Sequence, residues 1–305
     1  MRCLVLGANG FIGSHLVDSL VDEFEYAGSF ARSKYKYNTK CVESFIGDFK
    51  DIKALEASLI GHDCVVHSIS SSTPSVASKD PILDIENNIL PTIKLIDAMV
   101  TVGVERLVYI SSGGTVYGDP DKLPIIEESM LNPISIYGVT KVAIEKYIQV
   151  LCQQNGINLT IFRPSNPFGP RQTSSGNQGL IATLLESSIT NKPIDVYDSG
   201  NAVRDFIFID DLSKAIMLAV RNNISGVFNI GFGKGYSVKE VISTIERITQ
   251  YEFVKNNLPK RSFDINEVVL DIMKARTELK WQPKVDIVEG INSHFDWLLK
   301  SGFHK

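Results

Sequence analysis

The chain lacks any apolar run approaching the ~20 residues that span a bilayer, which excludes a membrane-spanning helix. Cysteine is scarce: Cys3, Cys41, Cys64 and Cys152 are scattered without Cys-x-x-Cys spacing, so buried thiols are expected rather than a metal site or a disulfide framework. Basic excess is missing as well. With 31 Lys and Arg against 35 Asp and Glu, the formal charge is −4 and the pI near 5.8. That balance argues against nucleic acid as the main partner, and any bound phosphate must meet a local basic site. No internal repeat or low-complexity tract is evident. Met1-Arg2 leads directly into an apolar strand without room for a cleavable leader, so a cytoplasmic protein is expected.

What the chain does hold is the material for a large core. Of its 305 residues, 44% are hydrophobic and 22% charged, enough for one large domain or two lobes. Near the start, the apolar run Leu4-Val5-Leu6 breaks into Gly7-Ala8-Asn9-Gly10-Phe11-Ile12-Gly13 and continues with helical periodicity, which predicts strand, turn and helix. Glycines at this spacing let the backbone turn tightly and approach a pyrophosphate, while the free N–H groups opening the helix face the anion.

Short apolar runs then alternate with helical stretches: Ala27 to Phe30, Val42 to Ile46, Cys64 to His67, Leu107 to Ser111 and Leu159 to Phe162. Such alternation predicts an α/β protein with a doubly wound parallel sheet. A long helix from about Ile85 carries Ile89, Ile93, Ile96 and Met99 at core spacing. His67 ends an apolar strand and reads as a satisfied buried histidine. The stretch from Pro164 to Gly179, rich in Pro, Gly, Ser and Asn, is a candidate ligand loop. Asp210-Asp211 are expected to cap the following helix. A smaller second lobe is expected from about residue 170, with some segments returning to the large sheet.

Tyr137 and Lys141 stand four apart in Tyr137-Gly138-Val139-Thr140-Lys141, on one face of a predicted helix that stops at Asn155-Gly156. A phenol ionises near pH ~10, and a nearby ammonium is expected to favour the phenolate and lower that value. Such a tyrosine takes a proton from an alcohol while hydride leaves the carbon.

These two motifs, together with Gly47-Asp48, Asn88, Val116-Tyr117-Gly118, the run Arg163-Pro164-Ser165-Asn166-Pro167-Phe168-Gly169-Pro170-Arg171-Gln172, Val203-Arg204-Asp205-Phe206 and Phe228-Asn229-Ile230-Gly231, resemble the extended short-chain dehydrogenase/reductase family of NAD-dependent epimerase/dehydratase type. The likeness covers nearly the whole length and points to the branch of nucleotide-sugar 4-epimerases and 4-ketoreductases. It implies a Rossmann dinucleotide-binding domain over residues 1–169, to which 203–230 return in part, and a nucleotide-sugar-binding α/β lobe over 170–305. The cofactor, NADP or NAD, is expected on Gly7, Asn9, Gly10, Phe11, Ile12, Gly13, Arg32, Asp48, Phe49, Tyr137 and Lys141. Asp48 would accept from the adenine amine, Tyr137 would be the acid/base, and Lys141 would bind the nicotinamide ribose. Asn166, Arg204 and Arg261 are expected on the sugar diphosphate, with Arg163 bracing the loop. A homodimer through two helices of the large domain is implied, and no metal.

Two departures from the family pattern bear on function. Where relatives carry a Ser or Thr four residues before the tyrosine of Val-Tyr-Gly, this chain has Gly113, so Ser112 or Thr115 must supply the hydroxyl, or water does, or the step relies on Tyr137 alone. The second strand ends in Ser29-Phe30-Ala31-Arg32-Ser33-Lys34, with no acid between Tyr26 and Glu43 for a ribose 2′-hydroxyl. Arg32 with its Ser and Lys neighbours favours a 2′-phosphate and so NADPH. That tilts the expectation toward reduction of a dTDP-, UDP- or GDP-4-keto-6-deoxyhexose for surface-polysaccharide (O-antigen) synthesis. The alternative is a UDP-hexose (glucose or N-acetylglucosamine) 4-epimerase with tightly held NAD. A dehydratase is disfavoured because Gly114-Thr115 stand where an Asp-Glu pair is needed, and a non-catalytic dinucleotide sensor has no need of Tyr137 and Lys141.

Overall fold

The computed structural model describes residues 1–37, 40–71, 77–174, 179–260 and 265–302. Arg261 lies outside them. The first strand, β1 (Cys3–Leu6), is buried on both faces, as the interior of a parallel sheet requires. Its side chains alternate between two cores: Cys3 and Val5 join one cluster, Leu4 and Leu6 the other. Around it assemble β2 (Ala27–Ala31), β3 (Val42–Ile46), β4 (Cys64–His67), β5 (Arg106–Ile110) and β6 (Asn158–Pro164).

Helix α1 (Phe11–Phe24) lies on one face. On the other face lie α2 (Ile52–Leu59), α3 (Leu90–Val102) and α4 (Ile136–Gln154). A short helical turn, Pro81–Asp84, and a π turn, Ile85–Ile89, lead without a break into α3. The expected helix therefore begins four residues earlier than its apolar spacing indicated and carries an extra-wide turn in the middle.

Beyond β6 come β7 (Asn166–Phe168), α5 (Leu180–Thr190), β8 (Ile194–Tyr197), β9 (Val203–Phe208), α6 (Ile209–Asn222) and β10 (Gly226–Ile230). They are followed by β11 (Gly235–Ser237), α7 (Val238–Thr249), β12 (Lys255–Leu258), β13 (Glu267–Val268), α8 (Met273–Glu278) and α9 (Ile287–Lys300).

The large sheet runs β10-β6-β5-β4-β1-β2-β3, parallel throughout. The chain winds outward from β1 in both directions, so the crevice at the carboxyl ends of β1 and β4 is the switch point where such sheets bind ligands. β10 pairs with β6, and α6 packs on α1. The smaller sheet is built on β9, with β7, β11 and β13 around it, and β8 pairs with β12. Its core holds Phe168, Phe206 and Phe208, with α5, α7 and α9 packed over it.

Two expectations need correction. Asp210 and Asp211 do not cap α6: they lie inside its first turn, where Phe208 is the cap residue and the helix dipole favours acids. Asp211 is fully buried and accepts hydrogen bonds from the Lys284 and Val285 amides at 2.8 Å, anchoring the chain that enters α9. Of the cysteines, Cys3, Cys64 and Cys152 are buried but Cys41 is exposed.

Candidate active site

The glycine turn closes in a way that side chains would forbid. Gly7 sits at φ +86°, and a Cβ on Gly13 would lie 2.2 Å from the Gly7 carbonyl oxygen. The Gly7 and Ala8 amides both donate to Phe30 O at the end of β2, which brings the turn against the segment that carries Arg32. Asn9 ties that segment down, its Nδ2 donating to the Ser33 and Lys34 carbonyls at 3.0 and 3.1 Å. Tyr35 inserts beneath it, donating to Ser14 O and Asp18 Oδ1. Arg32 itself is exposed beside the turn. Gly10 is the cap residue of α1, whose first amides, from Phe11 to Gly13, precede the first intrahelical partners. Asp48 is exposed and accepts from Lys50 N, and Phe49 is buried with its ring 4.9 Å from that of His67. This bare-backbone cradle beside a helix N-terminus fits a dinucleotide pyrophosphate.

Across the switch point, α4 presents Tyr137 and Lys141. Ser135 caps the helix by accepting from Gly138 N. Lys141 is buried and donates to Ile110 O at 3.1 Å, with Nζ 5.7 Å from the Tyr137 ring centroid and 5.1 Å from that of Tyr109. Burial pulls its ammonium down to about 8, against the opposing pull of the Glu145 and Asp84 carboxylates. Tyr137, half-buried, moves the other way from the expectation. Desolvation pushes its phenol above the ordinary value, a hydrogen bond with Ser70 works against that, and Asp84 adds to it. A neighbouring ammonium favours the phenolate, but in the folded chain burial of the phenol is the larger effect.

The hydroxyl missing at position 113 has a steric cause. A Cβ on Gly113 would come within 2.6 Å of Leu270 Cδ1 and 2.7 Å of Arg163 O, and the Gly113 amide is bonded to Pro164 O. Of the substitutes, Ser112 is half-buried, and Thr115 Oγ1 is a buried polar atom without a partner among the described residues. Asn166 reaches the same place. Its Nδ2 donates to Asp205 O at 2.8 Å and its Oδ1 lies 4.0 Å from where a Gly114 Cβ would be. Arg204 leaves the same strand, β9, and its Nη1 donates to Val203 O at 2.8 Å. Its neighbour Asp205 makes no surface ion pair with it. That carboxylate is buried and accepts from the Phe232, Gly233 and Leu270 amides, and burial pushes it up to about 7.

One buried cluster escaped the sequence reading. Glu145, fully buried, pairs with Arg163 (Nη2–Oε2 2.6 Å) and accepts from Ser111 Oγ. Arg163 also donates to Tyr117 OH at 2.8 Å, and Tyr117 to Asn229 Oδ1 at 2.6 Å. The signal was present: Glu145 stands one further helical step after Tyr137 and Lys141, an acid among the buried Ile144 and Ile148. Arg163 thus braces the strand end that carries the ligand loop.

A doubly wound sheet, a glycine cradle at its switch point and a Tyr–Lys pair across from it define a nicotinamide-dinucleotide enzyme of the Tyr-x-x-x-Lys type. Residues 3–231 match the NAD dependent epimerase/dehydratase family, and the chain belongs to that family. It is similar to a putative UDP-glucose 4-epimerase of Methanocaldococcus jannaschii, 33% identical over 301 residues covering 97% of each chain. It is also similar to the dTDP-4-dehydro-6-deoxyglucose reductase of Escherichia coli, 31% identical over 310 residues, 98% of this chain and 96% of that one. Among solved structures, the UDP-glucose 4-epimerase of Thermotoga maritima with UDP-glucose superposes with a TM-score of 0.92 at 30% identity, covering 99% of both chains.

Proposed function

We propose that the protein interconverts C4 epimers of a UDP-hexose, with NAD retained through the cycle. The observation that carries this reading is the full-length similarity, in sequence and in fold, to UDP-glucose 4-epimerases. It revises the balance struck on Arg32 alone. That side chain is exposed beside the glycine turn, where Asn9 and Tyr35 hold the backbone of its loop.

Residues Gly7 to Gly13 would hold the pyrophosphate, Asp48 the adenine, and Lys141 the nicotinamide ribose. When bound there, NAD would supply a hydride acceptor for C4 and, with the hydride delivered to the opposite face, its return as the other epimer. Tyr137 takes the proton from the sugar O4 and gives it back, Lys141 places a positive charge beside the phenol, and Thr115 Oγ1 bonds the reacting oxygen in place of the hydroxyl that Gly113 cannot carry. Asn166 and Arg204 hold the sugar diphosphate. A homodimer joined through α3 and α4 completes the proposal.

A second reading, a 4-keto-6-deoxyhexose reductase using NADPH, is favoured by the basic Arg32-Ser33-Lys34 loop and by the reductase relative. Unfolding the purified protein and assaying what it releases separates the two. The expected result is stoichiometric NAD, together with interconversion of UDP-glucose and UDP-galactose without added cofactor. Strict dependence on added NADPH and a 4-keto sugar would replace the first reading with the second.

A further inference from the structure

Asp84 ends the short helical turn before the π turn, and its carboxyl is almost wholly buried at 3% exposure. The Thr140 hydroxyl donates to its Oδ2 at 2.5 Å, and Asn88 Nδ2 donates to its Oδ1 at 2.9 Å. Thr140 lies between Tyr137 and Lys141 on α4. Asn88 in turn accepts from the amide and hydroxyl of Ser71 at 2.9 and 3.1 Å. Ser71 follows Ser70, the residue hydrogen-bonded to the Tyr137 phenol. One carboxylate therefore reaches both the helix that carries the acid/base pair and the loop that holds the phenol. The π turn supports this geometry, since its extra width falls between Asp84 and α3 and includes Asn88.

We propose that Asp84 is a positioning residue for Tyr137 and Lys141, a buried negative charge that keeps the phenol in its proton-bearing form and the amine in its charged form. The inference rests on the reading of Tyr137 as the acid/base. The Asp84 carboxylate opposes a second negative charge on Tyr137, in the direction of that phenol's shift, and supports a positive one on Lys141, against the burial that pulls the ammonium down. The other titratable groups around the pair are Glu145, matched by Arg163; Tyr109, whose phenol burial pushes up; and His67, held neutral by burial. Asp84 thereby favours the proton-bearing phenol, the form that donates to O4.

The test is a cofactor-free titration of protein carrying 13C at tyrosine Cζ, with Tyr137 assigned by its loss in Tyr137→Phe. The wild-type resonance is expected to titrate above the ordinary phenol value of ~10. In Asp84→Asn it is expected to titrate at lower pH than in the wild type, and in Asp84→Glu to return toward it. The alkaline limb of the turnover–pH profile on UDP-glucose is expected to move down in Asp84→Asn as well. A wild-type midpoint at or below the ordinary value overturns the proposal. So does an unmoved Tyr137 midpoint in folded Asp84→Asn, or a loss of turnover with an unmoved profile, which would mark Asp84 as structural only. If Asp84→Asn does not accumulate folded, the smaller neutral Asp84→Ser is read in the same way. The titration needs neither sugar nor turnover. Failure of every nucleotide sugar to react, with the phenol titrating as expected, would count against the proposed function and leave Asp84's role intact.

Discussion

Thr115 carries a buried hydroxyl with no hydrogen-bond partner among the described residues, at a cost of about 1–3 kcal/mol for an unsatisfied polar group. The role proposed above gives that hydroxyl a partner in the bound sugar. Thr115→Val is therefore expected to leave the urea midpoint unchanged or higher while lowering kcat/KM by roughly 10²-fold, the scale of one lost donor to a reacting oxygen. Comparing unfolding curves with steady-state rates for the variant checks both halves. Unchanged kinetics would transfer the role to Ser112 or to water. At this scale Tyr137 and Lys141 were legible because a four-residue spacing fixes their common face in any helix. Asp84 was not, because Thr140, which donates to it, lies 56 residues away in the chain, and Ser71, which it reaches through Asn88, lies 13 residues away.

Helices α3 and α4, which pack against each other, also show apolar side chains to solvent. Val139, Tyr147 and Val150 are about half exposed on α4, as are Leu90 and Val100 on α3, with Ile82 just before it at 69%. Exposed apolar residues on two neighbouring helices support the homodimer proposed above. The proposed homodimer places the same helices of two copies together. Sedimentation is expected to show a dimer for the wild type and a monomer for the double variant Val139→Glu with Tyr147→Glu, whose charges would be buried in the contact. A monomeric wild type at micromolar concentration would sink the idea. The strands and most helices were readable as elements because apolar period and glycine punctuation are local. The π turn and the place of Asp210-Asp211 were not. A π turn leaves the apolar residues spaced much as in an ordinary helix, and an acid before an apolar run reads as a cap whether or not the backbone enters the helix earlier.

For the whole molecule, burial of titratable groups sets how stability depends on pH. Burial lowers His67 from 6.5 to about 3 and His294 from 6.5 to about 4. Their stabilising contribution is complete above pH 6.5 and is lost as pH falls toward those values. Asp205 has the opposite sign. Burial raises it from 3.8 to about 7, so its contribution is complete below pH 3.8 and is lost as pH rises through about 7. Between pH 6.5 and 4 the two histidines outweigh the one aspartate, each group acting with a slope of at most about 1.4 kcal/mol per pH unit. The urea midpoint is accordingly expected to fall on acidification from pH 7 to 5, and less steeply in His67→Gln. A midpoint that rises over this range would contradict these assignments.

By itself the sequence determined the parallel sheet, the glycine cradle and the Tyr–Lys pair, because each is written in short-range spacing that a strand or helix converts directly into geometry. Only the tertiary structure decided the direction of the Tyr137 shift, the closed backbone that leaves Gly113 no side chain, the Glu145–Arg163 brace and the reach of Asp84. All of these depend on burial and on contacts between distant segments, and desolvation acts on a group only once the fold has surrounded it.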